Sequence, residues 1–406
     1  MNVALLHYAA PPVVGGVEGV IAHHARLLAE DGHRVRIIAG RGAAFDPRVE
    51  FVPLPLADSR HPDVLRVKAE LDRGQRTAAF DALRDALVEQ LRAALASIDV
   101  LIAHNVCSLN KNLALTAALH RLNETATAPR LVLWHHDLAW TTPRYRPELH
   151  DGYPWDLLCT PWKGVCQVVI SSARRAELAA LMGLPQAAIA VVPNGLAPAH
   201  FYKLERLTAE LVEQLGLFEA TLILLLPVRL TPRKNIELAL RVLAELRRIV
   251  PGSVLVVTGP LGPHNERNSD YYARLRALRA ELELEGAAHF LAEHYEGFLP
   301  DAVISDFFRL CDALFMPSRE EGFGLPLLEA AFDHKPVFCS DIPALRELGQ
   351  DLVDYFSPDD DPRLVAERVA ARLQTERTYL NARRARESYT WKGVYRSYIA
   401  PLLNAL

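Results

Sequence analysis

A chain of 406 residues, 50% hydrophobic and 23% charged, is too long for one ordinary core and has the balance of two folded domains rather than a disordered chain. Its formal net charge of -4 excludes a broad phosphate-tracking surface, so nucleic acid is not an expected partner. Five cysteines, an odd count with no C-x-x-C pair, suit a reducing cytoplasm and exclude a disulfide framework.

From the N-terminus, short apolar runs alternate with helical patterns, the signature of a parallel sheet covered on both faces. The opening residues lack the basic start and long apolar run of a signal peptide, and no later run has the length of a membrane span. A cytoplasmic location follows, with any membrane contact peripheral. Strand-like runs occupy 3–7, 34–39, 49–53, 100–103, 130–134, 168–171 and 189–192. Helical spacing marks 20–29 and the long stretch 63–97, where Gly74 is a break. Pro193-Asn194-Gly195 is a turn signal. The alternation then restarts, with strand-like runs at 222–227, 253–258, 288–291, 313–316, 336–339 and 353–356, and helical patterns at 235–250, 270–284 and 326–332. The tail 390–406 carries Trp391, Tyr395, Tyr398, Ile399, Leu402 and Leu403 at helical spacing, as for a helix that packs back on the first domain.

Four constellations carry chemistry. Glu321-Gly322-Phe323-Gly324-Leu325-Pro326-Leu327-Leu328-Glu329 sets two carboxylates around a glycine-rich turn. Pro326 suits a first helical turn, the glycines let a ligand approach the backbone, and the free N–H groups of a helix start favour phosphate. The carboxylates can accept hydrogen bonds from sugar hydroxyls, although two such acids alone are more often those of an ordinary strand–loop–helix junction. Arg229-Leu230-Thr231-Pro232-Arg233-Lys234 follows a strand at the end where ligands bind in parallel sheets, and two fixed cations there would neutralise a departing diphosphate. Arg233 reads as a solvated member of that loop. Gly15-Gly16, after the first strand, suits phosphate or sugar approach but is not G-x-G-x-x-G, and no P-loop occurs. His135 and His136 end the strand 130–134, and neighbours there point opposite ways, so at most one faces a ligand. There is no H-E-x-x-H, so zinc is not expected. Asp359-Asp360-Asp361 contains D-x-D, but it precedes Pro362 and a helical run, so it reads as a helix N-terminus rather than a metal site.

In this order the pieces resemble the retaining glycosyltransferase family four, of GT-B fold, over essentially the whole chain. The match is most specific at Pro317-Ser318-Arg319-Glu320-Glu321-Gly322-Phe323-Gly324-Leu325-Pro326-Leu327-Leu328-Glu329, which holds the family's E-x7-E pattern. Val228 to Asn235 resembles its phosphate loop, Val192 to Gly195 its linker and Tyr389-Thr390-Trp391-Lys392 its crossing helix. The resemblance implies two Rossmann-like domains with parallel sheets facing across a cleft: an acceptor-side domain 1–195, a donor domain 196–385 and a crossing helix 386–406. It implies that Arg229 and Lys234 bind the donor diphosphate, Glu321 the donor sugar and Glu329 the ribose, with Gly322, Phe323, Gly324 and Leu325 lining the donor. Gly15 and Gly16 would lie beside the phosphates and His136 near the transferred sugar, with His135 as the alternative. His104, Asn105 and Asn110 would line the acceptor side, or simply cap a loop.

The implied reaction moves a hexosyl group from a nucleotide-diphosphate sugar (GDP-mannose before UDP-glucose) to a hydroxyl of a sugar, lipid or small molecule, without metal or resident cofactor. The elaborated segment from Thr258 through Tyr272 is placed to touch base or hexose. Three positions depart from the family pattern: Asn235 where glycine is usual, Leu196-Ala197 after Asn-Gly, and Asp333-His334 where a residue and a glycine are common. A glycoside hydrolase has no use for Arg229 and Lys234. A nucleotide-sugar epimerase on the same fold and a non-catalytic nucleotide-sugar-binding protein remain as alternatives, and the missing G-x-G-x-x-G disfavours a dinucleotide oxidoreductase. The aromatic stretch 140–163 stacks on sugar or packs a long loop. Arg383, Arg384 and Arg386 read as a solvated helix face before a lipid contact.

Overall fold

A computed structural model describes residues 1–125, 128–260 and 266–406. It divides the chain into two units, Met1–Gly195 with Trp391–Leu406 and, between them in sequence, Leu196–Thr390.

Unit 1 is built on seven parallel strands: β1 (Asn2–Ala9), β2 (Arg34–Arg41), β3 (Val49–Pro53), β4 (Val100–His104), β5 (Arg130–His135), β6 (Cys166–Val169) and β7 (Ile189–Val191). They lie in the order β3-β2-β1-β4-β5-β6-β7. Its helices are α1 (Gly16–Glu30), α2 (Pro62–Leu71), α3 (Ala78–Ala94), α4 (Leu113–Asn123) and α5 (Ser172–Met182). The central strands are buried on both faces, which is why they read as unbroken apolar runs. The strand order reverses between β1 and β4, where the βα loops diverge and leave a crevice. Gly74 does break the long helical stretch: it sits at φ 75° between α2 and α3.

The tail belongs to unit 1. It begins at Trp391, later than the expected 386, because the preceding helix continues to Tyr389 and is held by Arg386. Val394, Tyr395, Ile399 and Leu403 pack with Ile21, Ala25 and Leu28 of α1. Trp391 stacks on His23 at 4.9 Å, and the Tyr395 hydroxyl donates to Asp31 at 2.7 Å. The Asn194-Gly195 signal marks a close approach: a Cβ on Gly195 would lie 2.5 Å from the Trp391 ring.

Unit 2 holds six parallel strands: β8 (Leu222–Leu226), β9 (Ser253–Val257), β10 (Ala288–Phe290), β11 (Ala313–Met316), β12 (Val337–Ser340) and β13 (Asp354–Phe356). The order is β10-β9-β8-β11-β12-β13, so its reversal falls between β8 and β11. Its helices are α6 (Pro198–Tyr202), α7 (Arg206–Gln214), α8 (Ile236–Ile249), α9 (Glu266–Glu281), α10 (Asp301–Leu310), α11 (Leu325–Phe332), α12 (Pro343–Gly349), α13 (Pro362–Thr375) and α14 (Arg377–Tyr389). Asp361 caps α13, accepting from Arg363 N–H at 2.9 Å, and Asp359 pairs with Arg319 at 2.6 Å. The acidic run is therefore a helix start, as read. Arg386 is no solvated residue: its guanidinium grips Asp312 at 2.6 and 2.9 Å, while Arg383 pairs with Glu387 along α14. Part of the segment from Thr258 to Tyr272 lies outside the described residues. Tyr271 and Tyr272 are not in a loop but on α9, and Tyr271 is buried.

Among the described residues no helix is long and apolar enough to cross a membrane. All five cysteines are free thiols.

Candidate functional site

In unit 2 the loop after β8 turns at Pro232–Lys234, and Asn235 then takes φ 51°, ψ 45° before α8 begins. That left-handed conformation explains why glycine is usual there, and asparagine is among the few residues that adopt it readily. Its Nδ2 donates to Pro358 O at 3.0 Å, which secures the turn. His334 repeats the pattern at φ 56°, just past α11. Both departures from the family pattern thus fall on positions that need positive φ.

The turn sends Lys234 inward. Its Nζ lies 2.5 Å from Glu321 Oε1, with both side chains under a tenth exposed. The fully buried Ser318 donates from Oγ to the same oxygen at 2.7 Å. Oε1 therefore has two donors, and Oε2 is left for a third group. Arg319 N–H donates to Arg233 O at 2.8 Å, stitching the loops after β8 and β11 together. Gly259 supports this from the end of β9, where a Cβ would stand 1.9 Å from Val228 O. Arg229 is exposed, its guanidinium 5.5 Å above the Phe298 ring, and Arg233 is exposed as expected.

Gly324, at φ 104°, opens α11 with no side-chain cap; Pro326 has no N–H and Leu327 N–H donates to Gly324 O at 3.0 Å, so Leu325 N–H is the one in that turn without an acceptor among the described residues. Gly322 faces open space, and Phe323 and Leu325 are exposed. Glu329 is exposed on α11, and its carboxyl is held above the usual range by partial desolvation and then by Asp301. The two glutamates thus occupy different surroundings, one paired and buried, one open.

In unit 1, α1 starts at Gly16, earlier than the expected 20, with exposed Gly15 before it. Gly15 is extended, φ -173°, and the Glu18 carboxylate folds over it; Gly16 faces open space. At the reversal of the sheet, His7 of β1, His104 of β4 and His136 beyond β5 come together. His7 Nδ1 is 2.7 Å from His104 O, and His104 Nδ1 is 3.2 Å from His136 Nε2. His24 of α1 adds a fourth ring, 5.3 Å from His104. Burial lowers all four: His7 and His136 to about 4, His24 to about 3, and His104 well below its ordinary value. All are neutral near pH 7.

His135 points the other way, to Gln167 of β6, with Nε2 2.7 Å from Oε1. Asn105, at φ 61°, spends its Oδ1 on the N–H groups of His136 and Asp137, at 2.9 and 3.0 Å. It clamps the end of β5 to that of β4. Asn110 donates to Glu148 at 2.7 Å, and Glu148 is also paired with Lys68. Trp155 and Trp162 are buried, with Trp140, Tyr145 and Tyr153 packed against the same core, so the aromatic stretch packs its own loop.

Sequence reasoning missed His7, His24, Ser318 and Gly259. His7 was within reach, since it stands near the end of the strand beside the one that ends at His104. Among the described residues no group of three or more His, Cys, Asp or Glu side chains is placed to hold a metal ion.

Two family models match the chain: Glycosyltransferase Family 4 over residues 14–200 and Glycosyl transferases group 1 over residues 208–389. A mannosylglucosylglycerate synthase of Thermotoga maritima is 25% identical over 368 residues, 83% of this chain and 80% of that protein. The same enzyme of Petrotoga mobilis is 26% identical over 267 residues, 62% of this chain and 61% of its own length. A D-inositol 3-phosphate glycosyltransferase of Stackebrandtia nassauensis is 31% identical over 162 residues, 39% of this chain and 34% of that protein. With one model on each unit, and two reversed parallel sheets beneath them, the chain belongs to the GT-B glycosyltransferases of family-four type.

Proposed function

We propose that this glycosyltransferase moves a hexosyl group, with retention and without a metal ion, from a nucleotide-diphosphate sugar to an acceptor hydroxyl. The observation that carries the reading is the buried Lys234–Glu321–Ser318 cluster at the sheet reversal of unit 2, beside Arg229 and the uncapped start of α11. Lys234 has three N–H donors, so it can keep Glu321 and still reach a diphosphate oxygen. Arg229 and the Leu325 N–H supply further positive potential. As the sugar–phosphate bond breaks, these groups stabilise the charge on the leaving diphosphate, each contact being worth about a hundredfold in rate. Glu321 Oε2 accepts from a hydroxyl of the transferred sugar and Glu329 from the ribose. The acceptor oxygen attacks the anomeric carbon from the face the diphosphate leaves, and the leaving phosphate takes the acceptor's proton. No protein nucleophile is used. In unit 1, His136 serves the sugar and Gly15-Gly16 the phosphates.

GDP-mannose is the favoured donor and UDP-glucose the next, a preference in line with two relatives named mannosylglucosylglycerate synthase. The test follows release of GDP, UDP or ADP from the matching sugar nucleotides, with and without EDTA. Release from one donor, unchanged by EDTA and lost in Glu321→Ala, supports the reading. Interconversion of the sugar on an intact donor would refute it in favour of an epimerase.

A further inference from the structure

The histidines of unit 1 hold a directional pattern that the proposed reaction does not use. His7 Nδ1 faces a carbonyl oxygen, which can only accept, so His7 carries its proton on Nδ1. The carbonyl belongs to His104, whose own Nδ1 meets His136 Nε2 at 3.2 Å. One of these two nitrogens donates and the other accepts, and the surroundings of His104 decide which. His104 is fully buried, and its Nε2 has no hydrogen-bond partner among the described residues. Were the His104 proton on Nε2, the result would be a buried N–H without an acceptor, the rarer kind of orphan in folded proteins. The neighbouring Trp134 ring offers no substitute. It is inclined only 33° to His104, so an N–H in the imidazole plane does not aim at the indole face. With the His104 proton on Nδ1 that orphan is avoided, and His136 Nε2 is the acceptor.

We infer that His104 is a positioning residue: by donating to His136 Nε2 it holds His136 as the Nδ1–H tautomer, so that His136 presents a hydrogen-bond donor and no base to its ligand. His136 Nδ1 makes no hydrogen bond within the described residues and is not buried, so this N–H is available. It suits a lone pair on a hydroxyl or phosphate oxygen and cannot take a proton from an attacking hydroxyl. The identity of the ligand rests on the proposed transferase; the tautomer is a property of the free protein.

The test uses the full chain labelled with ring-¹⁵N histidine, without ligand, near pH 8. Long-range ¹H–¹⁵N correlations show which ring nitrogen is protonated, and His136 is identified by the signal lost in His136→Gln. The expected result is an Nδ1–H His136 in the wild type and a shift toward Nε2–H in His104→Phe, which keeps an aromatic ring but has no donor. His104→Gln, which keeps a donor, should restore the Nδ1–H signal and most of the kcat lost in His104→Phe. An Nε2–H His136 in the wild type overturns the inference, and that reading stands even if His104→Phe fails to fold. An unchanged tautomer in a folded His104→Phe overturns it as well. A chain that shows the expected tautomers yet releases nucleotide from no sugar nucleotide would count against the transferase reading alone.

Discussion

The buried pair in unit 2 links stability to reactivity, and substitution can separate the two. In Lys234→Met the Glu321 carboxylate keeps Ser318 but loses its cation, in a place where the two charged side chains are 9% and 7% exposed. Removing one member of such a pair costs about 3–5 kcal/mol, because the other is left as an uncompensated buried charge. Glu321→Gln strands the ammonium in the same way. The double variant removes both charges and should recover most of the loss, since a buried pair roughly breaks even against a neutral replacement. For a domain of roughly 200 residues, 1 kcal/mol moves the midpoint by about 2–4 °C, so each single change should lower the Tm of unit 2 by at least ~6 °C. Circular dichroism melts of the four proteins without ligand measure this, and nucleotide release measures activity in parallel. All three variants should lose about a hundredfold or more in kcat/KM, the double variant included. If Lys234→Met melts with the wild type, or the double variant is no more stable than the singles, the pair is not an energetic unit and the reasoning fails.

At Asn235, glycine should be tolerated to within about 1 kcal/mol, since relief at φ 51° offsets the lost bond to Pro358, whereas valine should cost about 2–3 kcal/mol; urea unfolding distinguishes them. Gly16→Ala meets nothing within 4 Å and should leave the Tm unchanged while raising KM for the sugar nucleotide, whereas Gly259→Ala drives a Cβ to 1.9 Å from Val228 O and should abolish a cooperative melt of unit 2. Unit 1 should be acid-sensitive. An unfolded imidazole takes up a proton near pH 6.5, but folded His7 and His136 wait until about 4, so the unfolded state binds more protons between those values. Stability is then full above pH 6.5 and falls as the pH drops toward 4, by about 3 kcal/mol for each of the two. All five tryptophans lie in unit 1, so their fluorescence reports it selectively, and a midpoint that stays flat from pH 7 to 4.5 would contradict the neutral assignment.

The strands were legible because both sheets are buried on two faces, so β8 and β9 read as short apolar runs between turn signals. Helices with one wet side, such as α8, were legible for the complementary reason. The helix α4 was not: it is buried all round, from Leu113 through Leu119, and so shows no polar stripe to betray its period. At the site, the residue types of the loops after β8 and β11 could be read directly, but the sharing of one carboxylate oxygen by Lys234 and Ser318 could not. It depends on a register between loops that lie far apart in sequence. Gly259, held against Val228, carries no local signal either, since it needs no positive φ. Asn235 and His334 looked like departures in one dimension and become substitutes for glycine in three.

The two units solve the problem of polar groups at a sheet reversal in opposite ways, and the difference fits the proposed chemistry. In the proposed reaction a leaving diphosphate calls for cations whose charge does not depend on pH, and Arg229 and Lys234 of unit 2 are the candidates. Burying the latter is tolerable only because Glu321 is buried with it. A hydroxyl calls for oriented donors and acceptors without net charge. Unit 1 supplies them with imidazoles that burial keeps neutral near pH 7. A lysine or arginine at His104 would need a carboxylate partner, yet the titratable groups that act on that ring are other histidines. The choice of histidine there follows from burial: it is the one basic side chain that can lose its charge at neutral pH and still direct a proton along a chosen bond.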